Sequence, residues 1–210
     1  MADVVLNAPG TTNNPYNPSG FLTGLGGLGI FIASTATGLN SGTNGDFAEV
    51  AHNATYGSTI TCTATIASGG ASNGDEIWLG PIVRSGGNIG GGFGIAVGAF
   101  GVTIGWWTGA SNLGTFTPIS STLSITRADS DIWSMTSVIS GGTATISALQ
   151  NGGALTFTGT ITNTHFTAEA SLAAGFAFNP QDNNSLFISQ FTGTGVSGAP
   201  VSTLMGGISL

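Results

Sequence analysis

The chain is 210 residues long and holds 36 Gly, two Arg, no Lys and nine acidic residues, for a net charge of −7. Only 5% of it is charged, against about 25% in an ordinary globular domain, which excludes a protein that grips nucleic-acid phosphates or an anionic membrane through clustered Lys and Arg. With 40% of residues hydrophobic, charge-driven disorder is excluded too.

Residues 1–45 are rich in Gly, Asn, Pro and Thr, with turn punctuation at Asn13-Asn14-Pro15-Tyr16-Asn17-Pro18 and at 40–45. They are expected to form an extended N-terminal arm. The start, Met1-Ala2-Asp3-Val4-Val5, places an acid where a signal peptide needs basic residues, and no apolar run follows it. No signal peptide is expected. The apolar stretch 21–33 is too short and too Gly-rich to span a bilayer as a helix.

Residues 46–194 carry short segments of period two, the mark of half-buried strands. In 59–66, Thr59, Thr61, Thr63 and Thr65 oppose Ile60, Cys62, Ala64 and Ile66. The same device recurs in 143–149 and 155–162, joined by a hairpin signal at Asn151-Gly152. Further strands are expected at 76–84, 93–98, 101–107, 121–126, 131–139, 172–178 and 185–192, while the Gly-rich runs 24–29, 86–94 and 105–114 read as loops and bulges. No helical period is sustained, so the segments sum to an all-β antiparallel sandwich of roughly a dozen strands. Cys62, the single cysteine, reads as a buried inert thiol. Residues 195–210 form an uncharged C-terminal tail.

The order of Phe47-Ala48-Glu49-Val50, Ile77-Trp78-Leu79-Gly80-Pro81-Ile82-Val83-Arg84, Gly92-Phe93-Gly94-Ile95-Ala96-Val97, Asp131-Ile132-Trp133-Ser134-Met135, Ala174-Gly175-Phe176-Ala177-Phe178 and Leu186-Phe187-Ile188-Ser189-Gln190-Phe191 resembles the concanavalin A-like lectin/glucanase jelly roll, in its laminin G-like branch. The resemblance implies a lectin-like sandwich over 46–194. Glucanases of that fold carry a Glu-x-Asp-x-x-Glu strand motif, which this chain lacks, so no enzymatic activity is expected. The uncharged texture and the two arms also resemble tailed-phage virion surface proteins.

Candidate site residues are few. Trp106 and Trp107 are adjacent and must face opposite sides of a strand, which offers a stacking face for a sugar ring on whichever lies outside the core; the plainer reading is packing in the core or at an interface. Asp129 and Asp131 stand two apart and are candidate sugar ligands or, in a glycosidase reading, a carboxylate pair; the plainer reading is a turn near Arg127. Asn179, Asp182 and Asn184 lie in a loop of oxygen donors of the kind Ca²⁺ takes, although with one carboxylate. His52 and His165 are isolated, and no other cofactor is expected.

The leading expectation is therefore a non-catalytic virion structural or decoration protein at a capsid or tail surface. Both arms would contact copies of itself and other virion proteins in a homo-oligomer. The alternative is a carbohydrate-binding adhesin module for surface glycans. A glycosidase acting through Asp129 and Asp131 comes third.

Overall fold

The computed structural model describes residues 3–11, 13–16, 18–23, 32–41, 47–54, 56–69, 74–85, 88–110, 113–162, 172–179 and 186–195. Among these residues the protein is all-β, two antiparallel sheets with no helix, as the alternation predicts. Sheet A runs in the order β15 (Gly153–Ile161), β14 (Thr143–Gln150), β13 (Ile132–Ser140), β7 (Thr59–Ser68), β17 (Phe187–Gly195), β5 (Leu39–Ser41), β4 (Ile32–Ser34) and β2 (Asn13–Tyr16), with β1 (Val4–Asn7) also on β17. Sheet B runs β11 (Leu113–Pro118), β10 (Gly101–Ala110), β9 (Asn88–Val97), β8 (Glu76–Ser85), β16 (Leu172–Asn179), β6 (Ala48–His52) and β3 (Phe21–Thr23), with β12 (Leu123–Ser124) on β10.

The N-terminal segment expected as an arm is laid onto both sheets. β1 pairs from Val4 opposite Gly193 to Asn7 opposite Gln190, Leu39 of β5 pairs with Ile188, and β3 pairs with β6. Leu6 and Leu39 are buried in the common core, so these two apolar residues pack into the sandwich itself, while 24–31 lie outside the described residues. The tail beyond residue 195 lies outside the described residues.

The core forms where the two inner faces meet. Phe176 of β16 and Phe191 of β17 sit with ring centroids 4.9 Å apart, and Trp133, Met135, Ile146 and Cys62 are fully buried on the sheet A side. Burial pushes the Cys62 thiol up to about 12, so it is an unreactive core group. The β14–β15 hairpin turns at Asn151 (φ 51°) and Gly152 (φ 79°), the two positive dihedrals that a type I′ turn needs.

Sheet A keeps the expected division. Its outer face presents hydroxyl rows in register across strands, with Thr158 opposite Ser147, Ser147 opposite Thr136, Thr136 opposite Thr61 and Thr61 opposite Thr194. Neighbouring hydroxyls bond: Thr61 Oγ1 lies 2.8 Å from Thr136 Oγ1, and Thr63 Oγ1 lies 2.9 Å from Ser134 Oγ.

Sheet B departs from the sequence reading. The Gly-rich runs at 86–94 and 105–114, expected as loops, lie largely inside β9, β10 and β11. The reason is close packing on the outer face of the sheet: a Cβ at Gly92 would stand 2.6 Å from the Trp107 ring, and one at Gly114 would overlap Phe47 and Trp78. Glycine here makes room for large aromatics where the sheet curls over its own outer face. At one end of the sandwich buried Arg127 ties the strands together, donating to the carbonyls of Asp75 (2.9 Å), Val97 (2.9 Å) and Gly69 (3.0 Å).

Candidate functional site

The outer face of sheet B is set by register. Glu49 pairs opposite Ala177, Ala177 opposite Trp78 and Trp78 opposite Ala96, while Trp107 pairs opposite both Gly92 and Phe116, and Glu76 opposite Asn179. All of these side chains stand on the side away from the sandwich core, because their strand neighbours Val50, Leu79, Ile95 and Phe176 fill that core. The result is an aromatic extension of the core on the outer face. Trp78 has ring centroids 5.1 Å from Phe47, 5.8 Å from Trp107 and 5.4 Å from Phe116.

Two carboxylates are anchored to this cluster by indole N–H groups. Trp107 Nε1 donates to Glu49 Oε1 at 2.6 Å, and Gly91 N donates to Oε2 at 3.4 Å. Glu49 and Trp107 are both fully buried, although β6 and β10 are four strands apart in the sheet. Only strong curvature brings them together. Burial raises the Glu49 carboxyl to about 7, against the opposing pull of the Trp107 and Gly91 hydrogen bonds. Trp78 Nε1 donates to Glu76 Oε2 at 2.7 Å, and Asn179 Nδ2 donates to the same oxygen at 3.3 Å. Glu76 is half-buried and Oε1 receives no hydrogen bond from a described residue.

The Glu76 end of the face is open. A cleft of about 430 Å³ is lined there by Glu76, Trp78, Thr103, Phe116, Thr122 and Asn179, among others. Trp78 forms its floor at 0% exposure, while Phe116 is half-buried and Thr122 exposed. Neither Arg lines it: Arg84 donates to the carbonyl of Asn53, and Arg127 is committed to three other backbone carbonyls.

The candidates singled out from sequence are distributed differently. Trp106 and Trp107 do face opposite sides of β10, but Trp107 is sealed beneath the outer-face cluster, so it presents no stacking face to solvent. Trp106 is half-buried against the edge of the core. Asp129 is exposed at a turn. Asp131 is buried, its Oδ2 accepting from Ala128 N (2.7 Å) and Gln150 Nε2 (2.8 Å) and its Oδ1 from Asn151 Nδ2 (2.7 Å). Burial alone would raise this carboxyl, yet the hydrogen bonds from Asn151, Ala128 and Gln150 together hold it below the ordinary aspartate value. That is the opposite of what a general acid needs. The turn is also remote from the tryptophans. Arg127 N bonds Ala99 O just before β10, which leaves Trp106 and Trp107 on the order of 20 Å further along the strand at about 3.3 Å per residue. Of the oxygen-donor loop, Asn179 closes β16 and its amide serves Glu76, while Asp182 and Asn184 lie outside the described residues, as does His165. His52 packs edge-on to Phe21 and its Nδ1 lies 3.2 Å from the Tyr56 hydroxyl. Among the described residues no three metal-ligating side chains converge.

Glu49, Glu76 and Phe116 were not picked out from sequence. A partial signal exists in the i, i+2 spacings of Phe47 with Glu49 and Glu76 with Trp78, each of which puts an acid and an aromatic on one strand face.

No protein-family model matches this chain, and no curated protein matches it. Solved structures do. The metal-free carbohydrate recognition domain of Emp46p superposes with a TM-score of 0.55 at 9% identity, over 91% of this chain and 95% of that one. The fold is the concanavalin A-like jelly roll. The exoplasmic/lumenal domain of VIP36, in a form bound to Ca²⁺ and Man3GlcNAc, matches at a TM-score of 0.53 and 10% identity over 93% and 90% of the two chains. The apo form of the transglycosylase Crh5 matches at 0.50 and 8% identity over 95% and 86%. Lectins and an enzyme thus share this jelly roll with the chain, and at such identities the likeness is one of fold.

Proposed function

We propose that the chain is a non-catalytic, lectin-like module that binds a neutral glycan in the open cleft of sheet B, carried on the surface of a virus particle. The observation that carries the sugar-binding reading is the composition of the cleft. A half-exposed aromatic, Phe116, stands beside a carboxylate and an amide, Glu76 and Asn179, which can accept from and donate to vicinal sugar hydroxyls while the ring packs on the C–H face. Neutral sugars are favoured because no Arg lines the cleft, the chain has no Lys, and its net charge of −7 repels uronates, sialosides and sulfated chains. Emp46p and VIP36, whose structures are described as a carbohydrate recognition domain and a Man3GlcNAc complex, support sugar binding on this fold.

The arrangement of the described carboxylates supports a non-catalytic role. Glycoside hydrolysis takes two carboxyl groups flanking the bond, and Glu76 is the one carboxylate among the described residues lining the cleft. Glu49 is sealed from solvent and Asp131 is consumed by its turn. Screening the purified chain against a panel of neutral and anionic glycans tests the reading. Neutral ligands are expected to bind, with Glu76→Gln or Phe116→Ala weakening them by about tenfold or more, since losing one charge-assisted hydrogen bond or one stacking ring is worth about 1–2 kcal/mol. A panel with no binder, or with anionic binders alone, removes it.

The particle setting rests on the low charge and the hydroxyl-covered outer face of sheet A. Light scattering of the intact chain is expected to give an oligomer. A monomer that fails to join particles would count against this setting and leave sugar binding standing.

A further inference from the structure

We infer that the sugar-binding surface is an extended track made for a linear neutral oligosaccharide, continuing from the cleft of sheet B over the edge of the sandwich onto β15 of sheet A. This inference rests on the glycan reading above and names its substrate class. A second groove, of about 470 Å³, is lined by Ser120, Ser121, Thr122, Leu123, Thr156 and Thr158. Thr122 belongs to both spaces, so the two are neighbours across a single side chain.

The saddle between them is rigidly built. Thr122 Oγ1 lies 2.9 Å from Thr103 Oγ1 of β10, Ser120 Oγ accepts from Ile104 N at 3.0 Å and donates to Ser121 O at 3.1 Å, and Ile119 N bonds Ile104 O at 2.9 Å. The loop 119–122 is therefore strapped along β10. β15 closes against the same strand from the other sheet, where Gly159 lets the backbone approach Ile104: a Cβ there would stand 2.8 Å from Ile104 Cγ2. Loop and strand together make a fixed channel wall at the edge of the sandwich.

The chemistry of the second groove is that of a neutral sugar site. Its lining is five hydroxyls and one leucine, with no charge. Ser121, Thr156 and Thr158 are exposed and their hydroxyls bond no described residue, so they are open to exchange water for sugar hydroxyls. Such a surface is weak by itself. Joined to the cleft, it acts on a residue already tethered by its neighbour, so its contribution appears as chain-length dependence through a raised effective concentration.

Isothermal titration of the full chain with cello-, laminari- and manno-oligosaccharides of two and six residues tests the track. For whichever series binds, the hexamer is expected to bind about tenfold more tightly than the dimer. Thr156→Trp and Ser121→Trp fill the groove from exposed positions and are expected to reduce that advantage to about threefold or less while leaving dimer affinity within about twofold, with unchanged thermal melts as the control for folding. A hexamer that binds no better than the dimer, or a full length advantage retained in both variants, overturns the track and leaves the cleft intact. Absence of binding at either length overturns the glycan reading, and the track with it.

Discussion

The two outer faces of the sandwich obey one rule and end in opposite states. On sheet A the outward positions of β7, β13, β14 and β15 are mostly Thr and Ser paired across strands and partly or fully open to water, with Ile132 and Val138 of β13 exposed among them. On sheet B the outward positions of β6, β8 and β10 include Glu49, Trp78 and Trp107, all fully buried, because the sheet curls and its edge strand β11 folds over them, while Glu76 and Thr103 stay partly open at the cleft. Side-chain alternation fixes which residues share a face, while curvature decides whether that face meets solvent. The difference also separates two kinds of polarity: hydroxyls that solvent can replace, and buried carboxylates that depend on single indole donors.

The largest effect expected from this contrast comes from Trp107→Ala. The substitution leaves a cavity and strips Glu49 of its short hydrogen bond, so it is expected to cost about 3–5 kcal/mol in denaturant unfolding. A loss below about 1 kcal/mol would mean that the outer face of sheet B is not a true extension of the core.

Next comes the pH dependence of Glu49. Its carboxyl sits at about 7 in the fold against an ordinary 4.5, so across that window the folded protein keeps a proton that the unfolded chain has released. Stability contributed by this group is therefore full below pH 4.5 and falls as pH rises towards 7, by about 3 kcal/mol in all. Melting temperatures measured from pH 4.5 to 8 are expected to drop more steeply in the wild type than in Glu49→Gln, which keeps the acceptor for Trp107 and cannot ionise. Parallel profiles would remove the buried carboxyl from the account.

The smallest effect belongs to sheet A. Thr136→Val breaks a half-buried hydroxyl pair with Thr61 and exchanges a hydroxyl for a methyl in a strand, so unfolding free energy is expected to shift by no more than about 1 kcal/mol. A larger loss would show that the hydroxyl rows carry stability as the aromatic cluster does.

How far the fold could be read depended on water. Segment 59–66 is legible because only one of its faces is wet, and β7 keeps that alternation residue by residue. The span 172–178 is legible as a strand but not as two faces, since all eight residues of β16 are buried. β11 is not legible because its Gly114 closes the Gly-rich run 105–114, while the role of that glycine is to let the backbone pass over Phe47 and Trp78. At the candidate site, the amide of Asn179 donates to Glu76, a partner 103 residues away that spacing along the chain does not point to. Of the two adjacent tryptophans that alternation puts on opposite faces, Trp107 is a buried donor.

By itself the sequence determined that this is an all-β sandwich with Thr- and Ser-rich strand faces and few cations, two Arg and no Lys, because periodicity and charge are properties of the chain read locally. The tertiary structure decided where an aromatic and a carboxylate, Phe116 and Glu76, stay partly open in a cleft. Glu49 and Trp107 are 58 residues apart and meet through sheet curvature, and Glu76 and Asn179, 103 apart, meet through strand order. Neither quantity is encoded in the spacing of neighbouring side chains.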